Sequence, residues 1–192
     1  MVALAYGCYR EGLRPQQVIT ECYGVEFPRE FFVLAESNRD DTDLLLEFTN
    51  QPWELATPPE HEEPSGNPHG TDETEQRFLE ADADLVLLVR LLGLRARRGG
   101  SVICYRLSEL SEGRADVFEI RRGARPGGQV GRCGDTLLDV LLEHHTEACE
   151  ALEKQRSSES NFGFGMVDDD EVAEARELVQ QVTKLRQRAG IS

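Results

Sequence analysis

The chain has 192 residues, 39% of them hydrophobic and 30% charged, and a net charge of −15. That length suffices for one domain with a sizeable core, while the longest apolar run, 85–89, falls far short of the roughly 20 residues a membrane span needs. The acidic balance works against nonspecific nucleic-acid binding, which needs clustered Lys and Arg, and against docking on anionic lipid. It favours solubility and fast encounter with a basic protein.

The N-terminus has neither a basic leader nor a long apolar stretch, so no signal peptide and a cytoplasmic location are expected. The five cysteines, Cys8, Cys22, Cys104, Cys133 and Cys149, are widely spaced and form no Cys-x-x-Cys pair. They read as reduced, buried thiols rather than zinc ligands.

Pro15 opens a first helix whose apolar side is Val18, Ile19 and Cys22, ended by Gly24. A second opens at Pro28 and Glu30 and is anchored by Phe27, Phe31, Phe32 and Leu34. Residues 36–84 then hold fifteen acids against two bases, Arg39 and Arg77, for a local charge of −13. Everything outside that segment sums to −2. The segment also holds Trp53, the one tryptophan, and five of the eight prolines. Within it Leu44, Leu45, Leu46 and Phe48 form a strand or packed turn, and Trp53 and Leu55 pin the following loop. Residues 57–74 are too polar to offset the entropy of ordering and read as a long mobile loop.

Residues 85–92 are too uniformly apolar to reveal a period and could be helix or strand, the valines and Gly93 favouring a buried strand; 101–107 is a second, and 116–121 a half-buried third with Val117 and Glu119 on one side and Asp116, Phe118 and Ile120 on the other. A short strand at 129–132 closes an antiparallel meander. Gly99-Gly100 and Gly127-Gly128 are turns, since neither precedes a phosphate-loop Lys. Ten arginines between Arg90 and Arg132 against four acids read as the sheet's outer face, matched to the acidic segment.

Asp135 is placed to cap the next helix, whose buried face is Leu138, Leu141, Leu142, His145, Cys149 and Leu152. Asp168, Asp169, Asp170 and Glu171 open a last helix with Val172, Ala175, Val179, Val182 and Leu185 on one face, expected to dock on the body. The fold class is therefore α+β: an antiparallel meander flanked by N-terminal and C-terminal helices, with a long acidic loop insertion. Residues 1–156 form one domain carrying the insertion at 36–84, and 157–192 a linker and helix.

His145 lies mid-face with Cys149 one turn on, the spacing of a metal pair; it reads better as a structural histidine. His61 and His69 lie among acids without ordered cation-loop spacing. No metal, cofactor or catalytic residue is assigned. The residues expected to meet a protein partner are Asp40, Asp41, Asp43, Glu54, Glu60, Glu62 and Glu63, with Trp53 as an apolar anchor. Two other readings are a scaffold assembling through the last helix and a metal-assisted enzyme using His144 and His145.

Residues 21–31, with Gly24, Val25, Phe27, Pro28 and Phe31, the glycine-led strand from Gly99 through Leu107, the Val117 strand and the helix from Thr136 to Leu142 together resemble the SUKH superfamily, which includes many bacterial immunity proteins. The resemblance covers roughly 15–152; the acidic insertion and the last helix lie outside its pattern. It implies a non-catalytic α+β domain that binds and neutralises a cognate toxin, often a nuclease with a basic surface.

Overall fold

A computed structural model describes residues 1–38, 44–58, 73–93, 97–121, 123–125, 128–157 and 167–191. Helix α1 (Val2–Arg10) turns back through Gly12 into α2 (Pro15–Tyr23), which starts on its proline and ends on Gly24 at φ 73°, a backbone that only glycine adopts without strain. Helix α3 (Arg29–Asn38) follows. Phe27, Phe31, Phe32 and Leu34 are all buried, as the spacing predicts. Helix α1 was not anticipated from the sequence, because its small residues Ala5, Gly7 and Cys8 give no apolar stripe; Ala5 and Cys8 are nonetheless buried.

Strand β1 (Leu46–Phe48) begins the sheet, and helix α4 (Glu73–Ala81) leads into β2 (Leu85–Leu91). Then come β3 (Val102–Arg106), the one-turn α5 (Leu107–Ser111), β4 (Val117–Ile120) and β5 (Gly131–Gly134). The five strands pair in chain order, all antiparallel: the meander read from the sequence. The last strand lies two residues later than expected. The Gly99–Gly100 turn falls where it was placed, between β2 and β3.

A bulge interrupts β2. Leu87 pairs with Cys104 and Val89 with Ile103, so Leu88 is an extra residue without an opposite number. In a regular strand successive side chains alternate faces; here Leu88 and Val89 both enter the larger core.

That core lies under one face of the sheet. It gathers Ala5 and Cys8 of α1, Val18 and Ile19 of α2, the α3 phenylalanines, Val86, Leu88 and Leu91 of β2, Ile103 and Tyr105 of β3. The long helices α6 (Leu137–Ser157) and α7 (Asp169–Ala189) complete it with Leu138, Leu141, Val182 and Leu185. A second, smaller core covers the opposite face, with Phe78 of α4 on Leu85, Leu87, Val102, Cys104 and Ile120. The face expected to be an arginine-rich exterior is thus partly covered.

Helix α7 docks on the body, against α3 and α6. Asp168 caps it, accepting from the Glu171 amide at 2.8 Å while Glu171 accepts from the Asp168 amide at 3.2 Å. Of its predicted face, Val172, Ala175, Val182 and Leu185 are buried and Val179 is half-buried. Helix α6 begins later than foreseen: Thr136, not Asp135, caps it, its hydroxyl accepting from the Asp139 amide at 3.1 Å. Its buried side is also broader, adding Leu137, Val140, His144 and Ala148, because α6 meets the sheet on one side and α7 on the other.

Candidate functional site

The acidic segment is built onto one edge of the sheet. Thr49 and Trp53 fasten the chain leaving β1 to the bulge: the Thr49 amide and hydroxyl donate to the Leu88 carbonyl at 3.0 and 2.9 Å, and the Trp53 indole N–H donates to it as well. Thr49 lies opposite Leu88 in the β1–β2 register, so its amide bond extends that ladder by one residue, and its hydroxyl also reaches the Leu87 carbonyl at 2.7 Å. The Trp53 ring stacks on Phe31 with centroids 4.4 Å apart and meets Phe48 edge-on at 4.8 Å. Tyr9 donates to the Leu55 carbonyl at 2.8 Å, tying the same turn to α1. Trp53 and Leu55 do pin the loop, as read from the sequence.

The same burial corrects the other role given to Trp53. At 5% exposure, with its one donor taken by Leu88, the ring is part of the core and offers a partner almost no surface. Glu54 beside it is exposed. Asp40, Asp41, Asp43, Glu60, Glu62 and Glu63 lie outside the described residues, as does most of the 57–74 loop; its last two positions begin α4.

Several acids of the segment that are described face arginines of the sheet. Arg90 lies 3.6 Å from Glu47 across the β1–β2 pair, and Arg106 lies 3.2 Å from Asp82 and 3.1 Å from Asp84. Partial burial alone would raise the Asp84 carboxyl, but the Ser108 hydroxyl and amide, each at 2.7 Å, and Arg106 hold it below the usual range. Glu36 reaches Arg188 of α7 at 3.4 Å. Other arginines of the strip are taken locally, Arg114 by Glu109 and Glu112, and Arg132 by Asp116 and Asp135. Among the described residues of the strip, Arg90, Arg106, Arg114 and Arg132 are thus committed within the chain.

Four buried ionisable side chains, Glu30, Arg98, His144 and His145, are of types that carry chemistry, and each bonds to other parts of the fold. Glu30, 2% exposed, reaches from α3 to the start of α6. Its carboxylate accepts from the Leu137 and Leu138 amides at 2.8 and 3.0 Å and from the Tyr105 hydroxyl at 3.0 Å. Negative charge at a helix N-terminus meets the unpaired amides and the positive end of the dipole. Burial pushes its pKa up against the pull of those three donors. The sequence marked Glu30 only as an acid in the first turn of its own helix; nothing local reveals that it serves another.

Arg98, in the turn before β3, is 7% exposed and bridges to Glu143 of α6, with Glu119 of β4 at 4.0 Å and the Cys133 carbonyl at 3.4 Å. Glu119 in turn accepts from the Ser101 hydroxyl at 2.7 Å. This arginine closes the helix-facing side of the sheet at a position where the sequence showed only a turn. Burial is the main reason the nearby Cys133 thiol is raised to about 11, which keeps it protonated and unreactive.

His145 is 1% exposed and its two nitrogens meet backbone, Nε2 accepting from the Leu45 amide at 3.0 Å and Nδ1 facing the Leu141 carbonyl at 2.7 Å. It is the structural histidine the sequence predicts. His144, which the sequence left unplaced, is fully buried, with Nε2 at 2.7 Å from the Leu92 carbonyl. Among the described residues no three His, Cys, Asp or Glu side chains are grouped to hold a metal, and no helix is long and apolar enough to cross a membrane.

Two open clefts flank the turn at Glu26 and Phe27. One, of about 540 Å³, lies along α2 and α3 with Arg14, Glu21, Glu26 and Arg29 on its walls. The other, about 470 Å³, runs toward α5 and Arg114. Both are of mixed sign, with no convergent set of acid, base and nucleophile.

Compared with family models, with curated proteins and with solved structures, the chain matches none.

Proposed function

We propose that the chain is a non-catalytic module that binds a basic protein through its acidic segment, in the manner of an immunity protein neutralising a cognate toxin. The observation that carries this reading is the segregation of charge: residues 36–84 hold −13 of the chain's −15, and within that stretch β1, the Trp53 turn and α4 pack on the β1–β2 side of the sheet. The carboxylates of this stretch carry the same sign as a phosphate backbone, which steers a basic surface toward them. The resemblance to the SUKH superfamily supports the same function. The burial of Trp53 shifts the expected contact onto the acids themselves, Asp40, Asp41, Asp43, Glu54, Glu60, Glu62 and Glu63.

The test is co-expression with any toxin-like reading frame found immediately upstream of this gene, followed by binding kinetics with the purified pair. The wild-type chain is expected to protect the cells and to associate at a rate that falls steeply as salt rises past about 0.1 M, where screening length drops to roughly 10 Å. Replacing the seven acids by Asn and Gln is expected to slow association by at least about tenfold and flatten the salt dependence. Equal rates and equal salt dependence in the neutralised variant would remove the acidic segment from the interface.

A further inference from the structure

Leu45, at the entry to β1, and Leu92, just past the end of β2, close the end of that strand pair: the Leu92 amide donates to the Leu45 carbonyl at 2.9 Å. Each is also held by one of two neighbouring imidazoles on α6. His145 accepts the Leu45 amide on Nε2, which fixes its tautomer, since Nδ1 must then carry the proton it donates to the Leu141 carbonyl. His144 meets the Leu92 carbonyl with Nε2, and its Nδ1 is buried without a hydrogen-bond partner. The two rings lie edge to face with centroids 5.5 Å apart.

We propose that His144 and His145 form a proton-operated latch that holds β1, the first strand within the acidic stretch, to the body and lets it go when protonated. A second proton on His145 can go only to Nε2, where it would point at the Leu45 amide: two donors face to face, and the bond is lost. A second proton on His144 goes to Nδ1, which has no acceptor there. Both cations would be buried side by side and would repel. The charged groups that reach the pair are Glu147 on the same helix, which favours protonation of His144, and Arg98 from the turn before β3, which opposes it. From the strand side the contacts are the uncharged backbone of Leu45 and Leu92.

Burial first, and His144 second, hold the His145 imidazole down at about 4 against an ordinary 6.5. An imidazole released from the latch recovers its ordinary value, so the open form takes the proton first. The latch is fully closed above pH 6.5 and weakens as pH falls toward 4.

Amide hydrogen exchange, corrected to protection factors, tests this on the full chain. Between pH 7 and about pH 4.5 the protection of β1 is expected to fall roughly fifty-fold, while that of β3 is retained. His145→Gln keeps an acceptor for the Leu45 amide but cannot be protonated, and its β1 protection is expected to hold over the same range. Should that variant fail to fold, histidine NMR on the wild type gives the same answer: the His145 titration must track β1 opening. Loss of β1 and β3 protection together, no loss at β1, unchanged acid sensitivity in His145→Gln, or titration of His145 with β1 still closed would each overturn the latch.

Discussion

Glu30 joins three elements through one carboxylate. Replacing it by Ala leaves the Leu137 and Leu138 amides and the Tyr105 hydroxyl buried without acceptors, each worth about 1–3 kcal/mol, so Glu30→Ala is expected to lose at least about 3 kcal/mol in urea denaturation. Glu30→Gln retains one acceptor oxygen and is expected to lose clearly less. The sign with pH is opposite to that of His145: a carboxyl raised by burial is disfavoured when ionised, so its contribution is largest at acid pH and declines as pH rises from the ordinary glutamate range to its own raised value. Gln at this position should remove that slope; a Glu30→Gln variant with the wild-type pH profile would mean that Glu30 does not titrate differently on folding. Gly134 offers a steric test. A Cβ there would lie 2.5 Å from Val140 Cγ2, so Gly134→Ala is expected to cost about 1–3 kcal/mol, and adding Val140→Ala should recover part of it in a double-mutant cycle. Additive losses would mean that the two sites do not meet.

Elements with a strong period or a clear terminus were readable in the sequence: β3 and β4, and α7 with its acidic first turn, whereas the uniformly apolar β2 was favoured as a strand only by its valines and Gly93. The alternation of Val117 and Glu119 against Phe118 and Ile120 matches the two cores. Others were not, for physical reasons. Helix α4 lies inside the acid-rich stretch and buries Phe78 with Leu79 packed beside it, too little to give a periodic signal. Strand β5 is bounded by glycines at 131 and 134, which blur its register. The α6 start was placed one residue early, at Asp135, because Asp and Thr both cap helices well; hydrogen-bond geometry favours Thr136. Trp53 could be read either as a fastening or as an exposed anchor, and only the position of Phe31 and the Leu88 carbonyl decides. Its loss is predictable: Trp53→Ala should cost about 3–5 kcal/mol in thermal or denaturant unfolding. Trp53→Phe should cost about 1 kcal/mol, since Thr49 still supplies donors to Leu88. Equal losses in the two would place the indole N–H, not the packing, in control.

For the whole molecule the decisive fact is that α7 shares a core with the sheet. Val182 and Leu185 enter the same cluster as Phe31 and Trp53, and Arg186 reaches Asp139 of α6 at 2.7 Å. Leu185→Ala is therefore expected to destabilise the entire chain by about 2–5 kcal/mol. Trp53 fluorescence and far-ultraviolet dichroism should still report one transition at the same midpoint. Two separated transitions, with Trp53 unmoved, would show α7 to be an independent appendage. Of the five thiols read from the sequence as buried, Cys8, Cys104 and Cys149 are buried and Cys22 and Cys133 half-buried.

The extra residue in β2 has a consequence for how the chain could be shortened. Removing Leu88 would leave Leu87 followed by Val89, so every remaining side chain of the strand would keep its present face and every β3 pairing could close without a break. What would vanish is the carbonyl that takes the Trp53 indole and the Thr49 amide, leaving Thr49 its hydroxyl contact with Leu87. Leu88 behaves as a one-residue splice: dispensable to the sheet's register, yet the fixed point from which the acidic stretch departs.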